Sequence, residues 1–288
     1  MANQIAKFKK YVDLLDEVYM NESKTAVLES DATLARQGAN ANEIIIPKLD
    51  MDALGDYDRN SGYVKGDVTM TNETVPFNYD RGRKFSVDAM DNEETAGLAF
   101  GKLASEFIRT KVVPEQDAFR FATYANLAGT KVSGTLSAGT DVLTALQAAT
   151  AAMDDAEVPS ENRHLFITPT LLIAAQNVDT NKSREILGAF ASIEKVPSAR
   201  FYTAIDLKDG ETSGEEKGGF VKSADGKEIN FLIAEKSAVM QFTKHRVDKA
   251  IPPEDNPDAD AWIFNFREYG LSDVYENKTA GIYLHHKE

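Results

Sequence analysis

No cysteine occurs in the 288 residues. That absence removes disulfides, thiolate nucleophiles and every Cys-ligated zinc or iron–sulfur site, and it leaves the redox compartment open. Histidine is scarce, with four, and tryptophan occurs once. Basic charge is in deficit: 32 Lys and Arg stand against 46 Asp and Glu, a formal net charge of −14. General nucleic-acid binding depends on Lys and Arg displacing counterions from phosphate, so this balance argues against it. It does not exclude a protein that sits beside nucleic acid without adhering to it. No apolar run approaches the ~18 residues of a membrane span, and the opening stretch MANQIAKFKKYVDLLDEVY holds no signal-peptide core. The phosphate-cradling loops GxGxxG and GxxxxGK[ST], the nucleophile elbow GxSxG and the zinc motif HExxH are missing too.

These gaps leave little for catalysis. His164 opens a strand, His285 and His286 lie at the chain end, and His245 stands between Lys244 and Arg246, a poor place for a base that must accept a proton. The expectation is a protein with no catalytic residues and no cofactor. One metal pattern comes close. Asp56, Asp58, Asn60, Gly62 and Asp67 fall at positions 1, 3, 5, 7 and 12 of a calcium loop. Ser61 stands where that loop needs glycine, and Asp67 replaces the bidentate Glu. A polar turn in a β-ribbon is the better reading, and no metal site is assigned.

What is present reads as globular, at 42% hydrophobic and 27% charged. Ile5, Phe8, Val12, Leu15 and Tyr19 recur at helical spacing, within a polar stretch, so 1–43 reads as an extended arm with one helix. Ile44, Ile45, Ile46 and Pro47 then open a strand, and 56–62 is a polar turn. Val68 and Met70 alternate with Thr69 and Thr71. From Val75 to Ala89 the odd positions Phe77, Tyr79, Arg81, Arg83, Phe85 and Val87 alternate with polar even ones, with Pro76 and Gly82 as interruptions. An isolated hairpin is marginal in water, so a ribbon over 44–90 must lie on something, and its mid-strand arginines suit an acidic neighbour.

Phe100, Leu103, Ala104, Phe107 and Ile108 form a helical stripe. Asp91, Glu93 and Glu94 place negative charge at that helix's start, where its dipole favours it. Pro114 is expected to kink or restart the helix before Gly129 ends it. The stretch 129–234 reads as an α/β unit. It has a helix over about 140–156 (Val142, Leu146 and Met153 on one face), strands at 164–168, 201–207 and 229–234, and a glycine-rich loop at 209–226. Trp262, Phe264 and Phe266 share one face of a later strand, and GIYLHH closes the chain.

Three stretches carry a resemblance. DYDRNSGYVKGDVTMTNETVPFNYDRGRKFSVDAMDNEET, the helix FGKLASEFIRTKVVPEQDAFRF and the tail DADAWIFNFREYGLSDVYENKTAGIYLH resemble major capsid proteins of tailed bacteriophages with the Hong Kong 97-type fold. The resemblance covers nearly the whole chain. It implies an α+β fold: an N-terminal arm (1–43), an extended β-hairpin loop lying over an adjacent subunit (44–90), and the spine helix of a peripheral domain (91–128). An axial domain (129–234) and the remaining peripheral strands (235–288) complete it. It implies a structural protein that assembles with itself, as pentamers and hexamers, into an icosahedral shell around phage double-stranded DNA. The shell would form in the bacterial cytoplasm and end in the virion, with a separate scaffolding protein and a portal as partners and no membrane. An acidic wall would repel the packaged DNA. An encapsulin-type nanocompartment enclosing protein cargo is the nearest alternative, and an acidic α/β enzyme a more distant one. Some members cross-link Lys to Asn. Lys65, Asn256 and Asn265 sit in corresponding regions without a motif, so no cross-link is assigned.

Within this reading the candidate intersubunit contacts are Phe77, Tyr79, Arg81, Arg83 and Phe85 on the ribbon. Their counterparts are Asp91, Glu93 and Glu94, or the 252–260 loop, on the neighbour. The ribbon face would then be uncovered in a free subunit. Charge reversal at Arg81 and Arg83 would leave that subunit folded and stop assembly.

Overall fold

The computed structural model describes residues 23–30, 36–37, 43–94, 98–178 and 180–288. The helix expected at Ile5 to Tyr19 lies outside them. Among the described residues the chain forms four sheets. The strands are β1 (Arg36–Gln37), β2 (Glu43–Met51), β3 (Val68–Pro76), β4 (Tyr79–Asp88), β5 (Thr130–Ser133), β6 (Arg163–Ile167), β7 (Ser192–Lys195), β8 (Ile205–Leu207), β9 (Phe220–Lys222), β10 (Ile229–Glu235), β11 (Val239–Ile251), β12 (Ala261–Val274) and β13 (Ile282–His286).

A five-stranded sheet of order β5-β13-β10-β6-β7 is the centre of one unit. Its middle strand β10 is buried along its whole length, and strand periodicity sends alternate side chains to opposite faces. Phe231 and Ile233 pack with Val142, Leu146 and Met153 of the helix Gly139–Asp155. Leu232 and Ala234 face Phe121 and Tyr124 of the helix Val113–Leu127. The sheet is therefore covered by a helix on each side, which is why its strands are apolar on both faces. Two expectations change here. The stretch 201–207 does not supply a strand to this sheet: only Ile205–Leu207 is extended, and it pairs with β9 as a separate hairpin closed by the glycine-rich loop. Phe201 instead buries its ring beside Phe121. The fifth strand comes from the chain end, where β13 pairs with β10 and β5. The stretch 235–288 is thus shared between two units, because Ile282 and Leu284 are needed on one face of that sheet and Tyr283 on the other.

The second unit is the sheet β11-β12-β4. Phe264 and Phe266 of β12, with Trp262 beside them, pack on Ile108 and Val112, as their shared face predicts. Here the ribbon boundary at 90 moves. The β2–β3 hairpin ends at Pro76, and β4 leaves it to pair with β12 over ten residues. Proline has no N–H to extend a ladder. Asn78 then turns its amide to β12, donating to the Ser272 carbonyl at 2.7 Å and accepting from the Ser272 N–H at 3.1 Å. Gly82 does not interrupt β4: a Cβ there would stand 2.8 Å from the Phe266 carbonyl oxygen, so the close crossing requires glycine.

The expected spine helix is segmented. A short helix (Ala89–Glu94) precedes Leu98–Phe107, a π-helical stretch (Ile108–Val112) and Val113–Leu127. Pro114, near the start of the last segment, has no N–H for the preceding turn. The wider π turn absorbs that loss without ending the helix.

Candidate assembly surfaces

Four of the five ribbon residues singled out in the sequence line one cleft. Tyr79, Arg81, Arg83 and Phe85 form its β4 wall, the π stretch and Glu115 form another, and the 208–219 loop before β9 forms the third. The cleft measures about 840 Å³. Odd positions of β4 do face inward, as the alternation predicts, but what covers them lies in the same chain. Tyr79 is buried with its ring 5.1 Å from Phe119. That burial, with Glu115 nearby, pushes its hydroxyl well above the ordinary tyrosine range. Phe85 packs edge-on to Phe107 at 4.7 Å. Phe77 lies outside the cleft, on Tyr269, with the Lys244 ammonium 4.8 Å from its ring centre.

The arginines also have partners within the subunit. Arg81 donates Nε to Glu115 at 2.7 Å and a terminal nitrogen to the Lys208 carbonyl at 2.8 Å. Arg83 donates to the Glu216 carbonyl at 2.8 Å. Together they fasten the 208–219 loop of one unit to the sheet of the other. The loop is stiffened from inside. Asp209 accepts from the Thr212 hydroxyl at 2.5 Å and from the Glu211 and Thr212 amides at 2.8 Å, which holds its carboxyl down at about 2. Asp91 and Glu93 stand exposed on the short helix Ala89–Glu94, and Glu94 ends it. The partners shown for Arg81 and Arg83 are Glu115 and the carbonyls of Lys208 and Glu216. The picture of an uncovered arginine face in a free subunit is therefore corrected. Arg81→Glu faces Glu115 with a like charge and removes a charge-assisted hydrogen bond worth about 1.5–3 kcal/mol. A thermal melt of dilute protein should show the subunit itself destabilised; an unchanged melt would mean the pair contributes nothing.

The exposed surface lies further out on the hairpin. Its root is fixed: Ile44, Ile46 and Val75 pack on Met240, Phe242 and Leu271, and Lys48 bridges Glu73 at 2.9 Å and also bonds Glu276. Beyond Lys48, Leu49 pairs with Met70 and Met51 with Val68. Spacing by two puts all four on one face, and each is 60–67% exposed. Lys48, Asp50, Thr69 and Thr71 occupy the other face. The tip adds Leu54, Tyr57, Tyr63 and Val64, all exposed. Asp58 accepts from the Asn60 amide at 2.7 Å and bridges to Gly62, which has φ of 80°. The near-calcium pattern is thus spent on a hairpin turn. The alternation of Val68 and Met70 with threonines was the available sequence signal for this finger. The longer alternation that follows it belongs to β4, a strand paired with β12.

A second feature had no sequence signal. Asp117, fully buried on Val113–Leu127, receives the segment 23–30. It accepts from the Ser23 hydroxyl (3.0 Å), the Lys24 and Thr25 amides (3.0 and 3.2 Å), the Thr25 hydroxyl (2.8 Å) and Arg200 (3.1 Å).

No family model matches the chain, and no curated protein matches it in sequence. Solved structures do. The mature capsid of bacteriophage PhiM1 aligns at a TM-score of 0.61 with 9% identity, over 87% of this chain and 83% of that one. The capsid of cyanophage P-SCSP1u aligns at 0.58 with 14% identity, over 88% and 85%. The chain has a capsid-subunit fold. A virus-like particle from Pyrococcus furiosus shares that fold at 0.56 with 11% identity, over 96% of this chain and 98% of that one. The capsid fold is an α+β arrangement of the two units described, and among the described residues the hairpin face of Leu49, Met51, Val68 and Met70 stays largely exposed.

Proposed function

We propose that this protein is a structural shell subunit that assembles with copies of itself, as pentamers and hexamers, into an icosahedral capsid around phage double-stranded DNA. The observation that carries the reading is the finger of residues 49–70, an exposed apolar face on a chain with a capsid fold. Large exposed apolar patches mark interaction surfaces, and here the symmetric partner is another copy. The charge of −14 suits a wall that holds DNA without binding it. The Hong Kong 97-type assignment, a separate scaffolding protein, a portal, assembly in the host cytoplasm and the absence of catalysis belong to the same proposal.

A second reading, a nanocompartment enclosing protein, is supported by the match that spans nearly all of this chain and of the Pyrococcus furiosus particle subunit. Electron microscopy of the purified protein should show closed shells. Nuclease-protected double-stranded DNA in shells purified from infected cells supports the capsid, and a stoichiometric protein cargo with no nucleic acid supports the compartment. A protein that stays monomeric at high concentration, with or without a scaffold, would refute both.

A further inference from the structure

We infer that a small cavity between the helix Val113–Leu127 and strand β12 is a binding site for one structural water, held by the Glu268 carboxylate. The cavity measures about 10 Å³, the space of a single water centre. Its origin lies in the sequence of β12. Glu268, Gly270 and Ser272 share one face of that strand by alternation, and all three line the cavity. Gln116 and Arg120, one turn apart, line it from the helix. Between Glu268 and Ser272 stands a residue with no side chain. A Cβ at Gly270 would lie 2.8 Å from the Phe242 carbonyl oxygen, so the close crossing of β11 excludes one. The gap left there is lined mainly by polar side chains.

The cavity lies on a seam between apolar clusters. On the helix, Val113 belongs to the cluster around Phe264 and Phe266, and Phe121 and Tyr124 to the cluster on one face of the five-stranded sheet. On β12, Phe266 and Leu271 likewise belong to different clusters. Gln116, Arg120 and Glu268 fall between them and are buried, Glu268 to 1% exposure. One carboxylate oxygen, Oε1, accepts from the Gln116 amide. The other, Oε2, is equally out of solvent and has no hydrogen-bond donor among the described residues. A buried acceptor without a donor is costly. Burial pushes this carboxyl above its ordinary range, although Arg120, Arg246 and the Gln116 bond pull the other way. Internal waters serve buried groups of this kind, bonding two or more polar atoms at once. The chemistry selects water over an ion. A cation would meet the guanidinium groups of Arg120 and Arg246, and an anion would meet the carboxylate. A neutral molecule that both donates and accepts suits a wall carrying an acceptor in Glu268 and donors in Arg120 and Ser272. Seated there, it would join the helix to the sheet at the seam.

NMR of the dilute, methyl-labelled subunit tests the site. Leu271 lines the cavity and is buried, and Leu146 is buried in the apolar core of the other unit. A cross-relaxation signal at the water frequency is expected on the Leu271 methyls and none on those of Leu146. Glu268→Met keeps the side-chain length and takes away both oxygens, so it should abolish the Leu271 signal. The hydroxyls of Tyr79, Thr243 and Ser272 remain in that variant, so a signal relayed through exchanging hydroxyl protons would persist. No Leu271 signal in the wild-type chain, or one unchanged in Glu268→Met, overturns the site. Should the variant fail to fold, a density map of the wild-type protein that shows ordered waters decides. A peak at hydrogen-bond distance from Glu268 Oε2 supports the site, and an Oε2 bonded to a protein donor with no such peak overturns it.

Discussion

Asp117→Ala should destabilise the subunit by about 3–5 kcal/mol, the range for removing one partner of a buried charge pair. The carboxylate gathers five donors in a site with no solvent exposure. Removing it strands the Lys24 and Thr25 amides and leaves Arg200 without its anion. The damage spreads along the segment. Thr25 is also held by Arg120 at 2.9 Å and by Gln241 at 3.1 Å, and Gln241 in turn accepts from Tyr124 at 2.9 Å. Three residues further on, Leu28 fills the main core beside Phe121 and Tyr124. For a chain of this size the loss corresponds to a fall in melting temperature on the order of 10 °C. Circular dichroism on dilute protein, below the concentration at which shells form, isolates the subunit effect. An unchanged melt would mean that the Asp117 bonds contribute nothing and that Leu28, with the Arg120 and Gln241 bonds to Thr25, holds 23–30.

The fold was legible where periodicity and length agreed. The helix with Val142, Leu146 and Met153, the strands at 164–168 and 229–234, and the Trp262 face all stand where the pattern put them. The alternation from Val75 to Val87 specifies a strand, and the face expected to be free is covered within the chain. A period of two states that one face is covered; it does not state by what. The cover came from Phe107 and Phe119 of the following helix and from pairing with β12, which is nearly two hundred residues away in sequence. Such long-range pairings leave no local mark. Neither does Asp117, whose donors are amides and hydroxyls at Ser23–Thr25 and the guanidinium of Arg200, all distant in sequence. The segmented spine helix was half visible: Pro114 announced a disturbance, and only the coordinates show it met by a π turn. For the candidate assembly surface, Tyr79, Arg81, Arg83 and Phe85 have partners within the chain, and the exposed apolar face lies further out on the same segment. Mid-strand arginines suit an acidic neighbour, and Arg81 has one in Glu115 of its own chain.

Replacing Leu49, Met51, Val68 and Met70 together by threonine should leave the subunit folded and abolish shell formation. Threonine keeps the β-propensity of the finger, and the substitutions touch none of the root contacts of Ile44, Ile46 and Val75. Because all four side chains are already 60–67% exposed, the melting temperature of the dilute subunit should move little, unlike that of Asp117→Ala. Assembly is different. Fully burying one such side chain is worth about 1.5–3 kcal/mol, so four partly buried ones lose on the order of 4 kcal/mol per contact. That weakens each contact roughly a thousandfold. Every subunit of a closed shell makes the contact once as donor and once as host, so the loss recurs throughout the particle and assembly fails cooperatively. Sedimentation at a concentration where wild-type chain forms particles should find the variant as small oligomers or monomers. Lys48→Ala, which frees the root from Glu73 and Glu276 but keeps the apolar face, should assemble with reduced yield. Normal particles from the fourfold variant would remove the finger from the assembly surface. Loss of the monomer fold would mean that these four residues belong to the core of their own chain.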